Sequence, residues 1–158
     1  MVRASKRLTE QRILLFRRVC KEQGIKVTPQ RLEIFLDIMD ADDHPSAEEV
    51  FSHVRKKMPT ISLDTVYRTL STFDKHGLIS RVHFFEGKTR FDPNTKHHHH
   101  LVCTKCQSVM DFYWPEIDVA ELPPETEGWG RVENKHVQVR GLCSKCLSKG
   151  EKSKSEDE

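Results

Sequence analysis

The sequence predicts an α+β protein in which a winged helix-turn-helix domain precedes a smaller α/β domain. Three observations lead to this fold class. Apolar residues recur at helical spacing through the first half of the 158-residue chain, two β-prone segments hinged at Gly87 follow, and two Cys-x-x-Cys pairs lie in the second half. We expect domains at residues 1–91 and 92–147, followed by a disordered charged tail at 148–158.

Two helices are predicted before residue 40. The first ends at Gly24, and its apolar positions are Leu8, Leu15, Phe16 and Val19. The second begins at Thr28-Pro29, an N-cap residue followed by proline at the first helical position. Its apolar stripe consists of Leu32, Phe35, Leu36 and Met39. Cys20, within the first helical pattern, is predicted to be a small core residue.

Two further helices and a hairpin complete the predicted winged helix. Ser46 and Glu49 have capping-box spacing and begin the third helix, whose inward residues are Val50, Phe51 and Val54. The fourth helix begins near Ser62 and stops at Gly77, and its inward residues are Leu63, Val66, Leu70 and Phe73. Residues 78–85 and 88–92, joined at Glu86-Gly87, then form a β-hairpin.

The outer face of the fourth helix carries side chains that suit nucleic acid. They are Thr65, Tyr67, Arg68, Ser71 and Thr72. Hydroxyl and guanidinium groups can contact phosphates and the base edges in a major groove. Residues 1–91 carry 17 Lys+Arg against 12 Asp+Glu, whereas residues 92–158 carry 9 against 12. The basic first half and the order helix–turn–helix–hairpin favour DNA binding over an ordinary solvated face.

The second domain is predicted to contain three strands and one short helix. The strands cover residues 98–103, 108–113 and 131–142, and the helix covers residues 115–122. The chain has no apolar run near the roughly 18 residues of a membrane helix. Its start lacks the apolar core and cleavage site of a signal peptide, so a cytoplasmic protein is expected.

Four of the five cysteines form two pairs with metal-ligand spacing. The pairs are Cys103 with Cys106 and Cys143 with Cys146. Four thiolates are the ligand set of a closed tetrahedral zinc site, which leaves no position for a substrate. A redox dithiol and an iron–sulfur cluster are the alternatives. The sequence therefore favours a structural Zn(II) site that ties the two ends of the second domain together.

Four consecutive histidines precede the first cysteine pair. Because alternate residues of a strand share a face, His98 and His100 point one way, while His97 and His99 point the other. Two imidazoles on one face can chelate one ion, and a carboxylate from Asp92 or Asp111 would complete an N/O site. Such a site suits Fe(II), Mn(II) or zinc. Solvent exposure is the alternative for the outer pair.

Seven motifs then point to a known family. They are VTPQR (27–31), HPSAEEVF (44–51), SLDTVYRTL (62–70), GLI (77–79), RFD (90–92), HHHHLVCTKC (97–106) and GLCSKC (141–146). Together they resemble the ferric-uptake-regulator (Fur) family of bacterial metal-dependent repressors, over about residues 8–147.

The resemblance implies a homodimer that binds a palindromic A/T-rich operator in double-stranded DNA. It implies that the second domain dimerises and that the four cysteines hold the structural zinc. The regulatory metal, Fe(II) or Mn(II), would be held by His44, Asp92, His98, His100 and Asp111. The residues expected to contact DNA are Thr28, Gln30, Arg31, Ser62, Thr65, Tyr67, Arg68, Lys88 and Arg90.

Two carboxylates make the sequence most similar to the peroxide-sensing (PerR) branch of the family. Iron-sensing members usually carry Glu where Asp111 stands, and an extra residue between the first carboxylate and the histidines. In the peroxide-sensing branch, ferrous iron reacts with hydrogen peroxide, a ligand histidine is oxidised, and the repressor leaves DNA. By position, the oxidised residue would be His44 or His98.

One group of residues departs from the peroxide-sensing pattern. An additional metal site, more typical of iron-type members, would consist of His97, His99, Asp118 and His136. Iron-responsive and zinc-responsive repressors are therefore the alternatives within the family. Outside it, the alternatives are a metallohydrolase using the His/Asp site and a zinc-ribbon interaction module without a regulatory metal. A hydrolase would leave the basic first half without a role, and no HExxH motif is present. We therefore expect a repressor and not an enzyme.

Overall fold

The computed structural model describes residues 2–41, 44–83 and 89–152. Helices and strands are mixed, which confirms the predicted α+β class. The chain divides into two compact units, Met1–Thr95 and Lys96–Glu158. This boundary lies later than the one predicted after residue 91, because β2 runs on through Asp92 and that residue stays with the first unit.

The first unit has the element order of a winged helix. Its helices and strands are α1 (Val2–Glu22), α2 (Pro29–Asp40), α3 (Ala47–Lys57), α4 (Leu63–Lys75), β1 (Ser80–His83) and β2 (Thr89–Asp92). The two strands pair antiparallel, as predicted for the wing. Residues 84–88 lie outside the described residues, so the predicted turn at Glu86-Gly87 and the predicted DNA contact Lys88 are not described. The side chain of Leu8, predicted to face the core, also lies outside the described part.

Side-chain caps begin three of these helices where the sequence predicts. Thr28 Oγ1 accepts a hydrogen bond from the Arg31 backbone N–H at 3.2 Å, and Pro29 occupies the first turn of α2. Ser46 and Glu49 form the predicted capping box of α3. Ser62 caps α4 by accepting from the Thr65 N–H at 3.1 Å. Each such cap is worth about 1 kcal/mol, so these short residues fix where the helices begin.

The core of the first unit is built around three aromatic rings from three helices. Phe16 lies 4.9 Å from Phe35 and 5.8 Å from Phe73, measured between ring centroids. Cys20 is fully buried beside them, as predicted. The deepest residues of α2 also include Ile34 and Ile38, which the predicted stripe omitted.

Two details of the predicted packing are wrong. Leu15 was expected to face the core but is 37% exposed, because Phe16 and Cys20 define the buried line of α1. The apolar stripe predicted for α2 is not centred on its buried face, which consists of Ile34, Phe35 and Ile38. Its residues Leu32 and Met39 are partly buried at the edge of the core instead.

The second unit contains a three-stranded sheet in the order β4-β3-β5. The strands are β3 (His99–Cys103), β4 (Val109–Phe112) and β5 (Gln138–Gly141), and the helices are α5 (Pro115–Val119) and α6 (Ser144–Lys152). Strand β3 pairs antiparallel with β4 and parallel with β5. The central strand therefore carries His99 and His100 at its start and Cys103 at its end, and His97 and His98 directly precede it. It begins one residue later than the predicted strand over residues 98–103.

Two predictions for the second unit are corrected. The strand expected over residues 131–142 is confined to Gln138–Gly141, because Gln138 already pairs with His100 near the start of β3 and earlier residues have no strand to pair with. The tail expected to be disordered from residue 148 continues α6 as far as Lys152. Lysine and glutamate are good helix formers, so a charged composition alone does not end a helix. Residues 153–158 lie outside the described residues.

None of the helices in the described part of the chain has the length and apolar character of a membrane-spanning helix.

Candidate metal centres and nucleic-acid face

The four paired cysteines converge at one end of the second sheet. Their sulfur atoms lie within 4.8 Å of one another, and all five cysteines of the chain are free thiols. Cys103 closes β3, and Cys146 lies in the first turn of α6. Gln107, with a φ of 63°, makes the tight turn that returns the chain after Cys106. The arrangement is consistent with a closed structural zinc site that has four cysteine ligands.

Backbone groups around Cys103 favour its thiolate. Hydrogen bonds from the backbone N–H groups of Cys106, Cys143 and Lys105 lower the pKa of Cys103 to about 6 despite its burial. Burial and the neighbouring cysteines raise the pKa of Cys146 to about 12. Four thiolates cannot be held together without a cation, and a divalent metal supplies it. The donor set therefore fits Zn(II).

His98 and His100 lie on one face of the histidine run, as strand alternation predicts, and we call them the even pair. Their Nε2 atoms are 2.9 Å apart. Asp111 approaches both, with a carboxylate oxygen 3.6 Å from each Nε2. Its position follows from the sheet register, in which Asp111 on β4 pairs with His100 on β3. Two imidazole nitrogens and a carboxylate are thus brought together inside the second unit.

Hydrogen bonding at His98 fixes which of its ring nitrogens can bind a cation. Its Nδ1 lies 2.6 Å from the carbonyl oxygen of Lys96. A carbonyl oxygen only accepts, so Nδ1 carries the proton and donates it. The lone pair of a neutral His98 ring is then on Nε2, which points to His100 and Asp111. This is the usual arrangement of a metal-binding histidine whose other nitrogen is held by a carbonyl.

The two predicted ligands of the first unit also form a buried pair. His44 Nε2 lies 3.2 Å from Asp92 Oδ2, and the two side chains are 6% and 1% exposed. The loop that carries His44 is joined to β2, since the Phe91 N–H donates to Pro45 O at 2.9 Å. Burying a carboxylate is costly unless it meets a cation or hydrogen-bond donors, and His44 provides such a partner for Asp92.

Arg90 was predicted to contact DNA, but the structure gives it another partner. Its guanidinium donates to the His44 carbonyl oxygen at 2.7 Å and lies 3.4 Å from Glu49. The Arg90 side chain is only 12% exposed. Arg90 thus holds the loop that carries His44, and its contact with DNA stays a prediction.

His97 and His99 form the odd pair, on the opposite face of the run, and share Asp118. The Asp118 carboxylate lies 2.7 Å from His97 Nε2 and 3.1 Å from His99 Nε2. The ligand atoms of these three residues lie within 4.8 Å of one another. Burial would raise the pKa of Asp118, but the hydrogen bonds and charges of the two histidines outweigh it and hold that pKa below its usual value.

His136, expected as a ligand beside the odd pair, lies against the even pair instead. Its Nε2 is 3.1 Å from His100 Nδ1, and its Nδ1 is 3.2 Å from the carbonyl oxygen of His98. Partial burial and the neighbouring His100 lower the pKa of His136. The expectation is corrected because His136 precedes β5, which lies alongside β3 and directs the ring to His100.

On the outer face of α4, three of the side chains predicted to contact DNA have partners within the protein. Tyr67 is 41% exposed, and its hydroxyl donates to a Glu48 carboxylate oxygen at 2.6 Å. Arg68 extends into solvent and forms an i,i+4 ion pair with Asp64 at 2.9 Å. Ser71 accepts a hydrogen bond from the Arg81 guanidinium at 3.1 Å. An exposed ion pair such as that of Arg68 is weak, so this side chain remains available to a phosphate.

The remaining predicted DNA contacts also serve the helix ends. Thr28 and Ser62 are N-caps, and Thr65 Oγ1 lies 2.8 Å from Ser62 Oγ. Arg31 donates to Lys26 O at 2.7 Å. Gln30 lies in the first turn of α2. These residues lie at helix N-termini, where exposed N–H groups favour phosphate.

Two participating residues and one contact could not be recognised from the sequence. Lys96 acts through its backbone carbonyl, which no residue pattern reveals. Glu48 accepts a hydrogen bond from Tyr67 on a neighbouring helix. The sequence places Glu48 in the first turn of α3 but does not predict this contact. The contact between His136 and His100 depends on the parallel pairing of β5 with β3, which spacing along the chain does not predict.

The fold and the clustered ligands define a winged-helix protein with a second, metal-binding unit. A profile of the ferric uptake regulator family matches residues 22–139. The chain is 30% identical over 130 residues to the peroxide-responsive repressor PerR of Staphylococcus epidermidis, spanning 82% of this chain and 87% of that protein. It is 32% identical over 130 residues to the peroxide operon regulator of Bacillus subtilis, spanning 82% and 89%.

A solved structure agrees with these sequence relatives. The ferric uptake regulator of Francisella tularensis with iron superposes with a TM-score of 0.65 at 27% identity, covering 78% of this chain and 96% of that one. The protein therefore belongs to the ferric uptake regulator family, and it is a metal-dependent repressor of that family.

Proposed function

We propose that this protein is a peroxide-responsive repressor that binds a palindromic operator as a homodimer and releases it when a ligand histidine is oxidised. The observation that carries the proposal is the convergence of His98 Nε2 and His100 Nε2 beside the carboxylate of Asp111. The sequence relatives named as peroxide-responsive repressors support the same function.

The regulatory metal would be Fe(II) or Mn(II), and five residues would hold it. They are His44, Asp92, His98, His100 and Asp111. Mixed imidazole and carboxylate ligands suit these ions better than the four thiolates of the zinc site do. The His44–Asp92 pair would supply the ligands of the first unit, and the even pair with Asp111 those of the second. Filling such a set would favour one arrangement of the units over others.

Bound iron would supply the redox chemistry by which one oxygen atom of hydrogen peroxide is added to a ligand histidine, with water as the other product. The ring that receives the oxygen would be His44 or His98. Oxidation adds a carbonyl oxygen to the ring and weakens its nitrogen as a donor. The chain would then lose one of its five ligands, and repression would end.

The outer face of α4 would read the operator. Tyr67, Arg68 and Thr65 would contact bases and phosphates in the major groove, as expected of a recognition helix. Residues at the N-termini of α2 and α4, including Thr28 and Ser62, would hold the phosphate backbone. A homodimer would present two such faces to the two half-sites of a palindrome.

DNA binding in defined metal states tests this proposal. The zinc-loaded protein is mixed with a fluorescent A/T-rich palindromic duplex, and anisotropy is followed with Mn(II), with Fe(II) and with a chelator that leaves zinc in place. We expect tight binding with either metal, loss of it with chelator, and loss after hydrogen peroxide only in the iron form. Binding that ignores both chelator and peroxide would refute the proposal.

An iron-responsive repressor is the second candidate. The structural similarity to an iron-bound ferric uptake regulator supports it, as does the cluster of His97, His99 and Asp118. The same experiment separates the two functions. Iron-dependent binding that survives peroxide would identify the iron-responsive function.

A further inference from the structure

His136 makes two contacts that a ligand of a separate metal site would not make. One ring nitrogen, Nε2, lies 3.1 Å from Nδ1 of His100. The other, Nδ1, lies 3.2 Å from the backbone oxygen of His98. A single side chain therefore connects both members of the even pair.

The backbone next to His136 is held in place by β3. The His100 N–H donates to Val137 O at 3.1 Å, and the Val137 N–H donates to His99 Nδ1 at 3.2 Å. Residue 137 is thus bonded on both sides immediately before β5. His136 lies at the surface, and its contacts with His98 and His100 are partly buried. Its attachment to the sheet is fixed, which allows it to act on a neighbour.

The protons of these rings can be assigned from their partners. The His98 carbonyl oxygen can only accept, so His136 Nδ1 donates to it. A neutral His136 then has its lone pair on Nε2, which accepts a proton from His100 Nδ1. The proton of His100 therefore lies on Nδ1, and its lone pair lies on Nε2, the atom that faces His98 and Asp111.

The Lys96 carbonyl oxygen holds the proton of His98 on Nδ1 in the same way. Both Nε2 atoms of the even pair therefore present lone pairs, at a separation of 2.9 Å. Two lone pairs this close are positioned to bind one cation together. Without His136, the His100 ring could take the other tautomer, with Nε2 protonated and unable to bind a metal.

We propose that His136 is a positioning residue of the regulatory metal site, which fixes His100 in the tautomer that binds metal. It is not a ligand of an additional site. This inference rests on the proposed function only in that the even pair holds the regulatory metal. Groups that hold the far nitrogen of a ligand histidine typically contribute about 10–100-fold to metal affinity.

Two variants of His136 and one control test the proposal. Mn(II) is titrated into zinc-loaded protein, and free Mn(II) is measured by electron paramagnetic resonance. We expect His136→Leu to weaken Mn(II) binding by about 10–100-fold. His136→Gln can both accept from His100 and donate to His98, and should retain affinity within a few fold. The control, His53→Leu, replaces an exposed histidine of α3 that lies in neither histidine pair and should leave affinity unchanged.

A second measurement is independent of metal binding. Nitrogen-15 spectra of histidine-labelled protein without the regulatory metal report which ring nitrogen carries the proton. We expect Nδ1–H for His98, His100 and His136 in the wild type, with His100 changing or averaging its tautomer in His136→Leu. An Nε2–H tautomer of His100 in the wild type, or unchanged Mn(II) affinity in His136→Leu, would overturn the inference. If Mn(II) bound tightly but did not promote DNA binding, the proposed function would fail and the role of His136 would still be decided.

Discussion

The two faces of the histidine run contain the same residue type and differ in what surrounds the rings. On the even face, His98 Nδ1 is held by a carbonyl, and its Nε2 meets that of His100 at 2.9 Å. On the odd face, His99 Nδ1 accepts the Val137 N–H, and a carboxylate already lies between the two rings. Neighbouring imidazoles of the run therefore have different hydrogen-bond partners.

From this difference we infer that backbone partners favour metal binding by the even pair over the odd pair. A neutral His99 whose Nδ1 accepts a hydrogen bond must carry its proton on Nε2, where it faces Asp118. A metal at that nitrogen would have to displace the proton and break the Val137 bond. The even pair needs no such change, since its lone pairs already converge. The ligand atoms of the odd pair and Asp118 are close enough to bind one metal, but the hydrogen bonds of His99 place a proton on the nitrogen that faces Asp118.

The largest expected difference is in DNA binding. His100→Ala removes one of the five proposed regulatory ligands. We expect Mn(II)-dependent affinity for the operator duplex to fall by about a hundredfold or more, beyond the effect of a residue that only positions a ligand. His97→Ala is the matched variant on the odd face and should stay within a few fold of the wild type. Fluorescence anisotropy at fixed salt measures both. Equal losses in the two variants would remove the distinction between the faces.

Folding stability should show the reverse order. His99 is fully buried, and its Nδ1 satisfies the Val137 N–H, so His99→Ala leaves an unpaired donor and a cavity. We expect a loss of about 1–3 kcal/mol in the free energy of unfolding. Urea unfolding of the zinc-loaded protein measures it. His97→Ala, at an exposed position on the same face, is the control and should change stability little. An unchanged unfolding midpoint for His99→Ala would show that His99 does not stabilise the fold.

The smallest expected effect concerns Asp118. Asp118→Asn keeps the shape of the side chain but removes the charge that both odd-face histidines contact. We expect a thermal unfolding midpoint only slightly below that of the wild type, since Asp118 is partly exposed and its ion pairs are screened. Mn(II)-dependent DNA binding should be retained. A loss of metal response comparable to that of His100→Ala would instead make Asp118 a ligand.

Much of this account was accessible from the sequence because local rules apply strongly here. Thr28, Ser46 and Ser62 begin helices where capping chemistry predicts, and strand alternation correctly separated the even from the odd histidines. The paired spacing of the cysteines predicted their convergence. These features depend on residues close together in the chain or on ligand sets that few other sites use.

The partners that the sequence did not predict come from long-range contacts. Arg90 has the composition of a DNA contact, but the Ser46–Arg90 bridge between the α3 N-cap and β2 turns it toward the His44 carbonyl. His136 has the composition of a metal ligand, but the parallel pairing of β5 with β3 places it beside His100. Residue type gave the chemistry of these side chains, while their partners depended on strand pairing.

Mass spectrometry of the iron form after hydrogen peroxide tests the central claim most directly, because it locates the oxidised ring. The zinc-loaded protein with Fe(II) is treated with a small excess of peroxide, digested and sequenced, with the Mn(II) form as the control. The account predicts one added oxygen atom on His44 or His98, no addition on His97 or His99, and none in the Mn(II) form. Oxidation confined to His97 or His99, or equal oxidation in both metal forms, would contradict it.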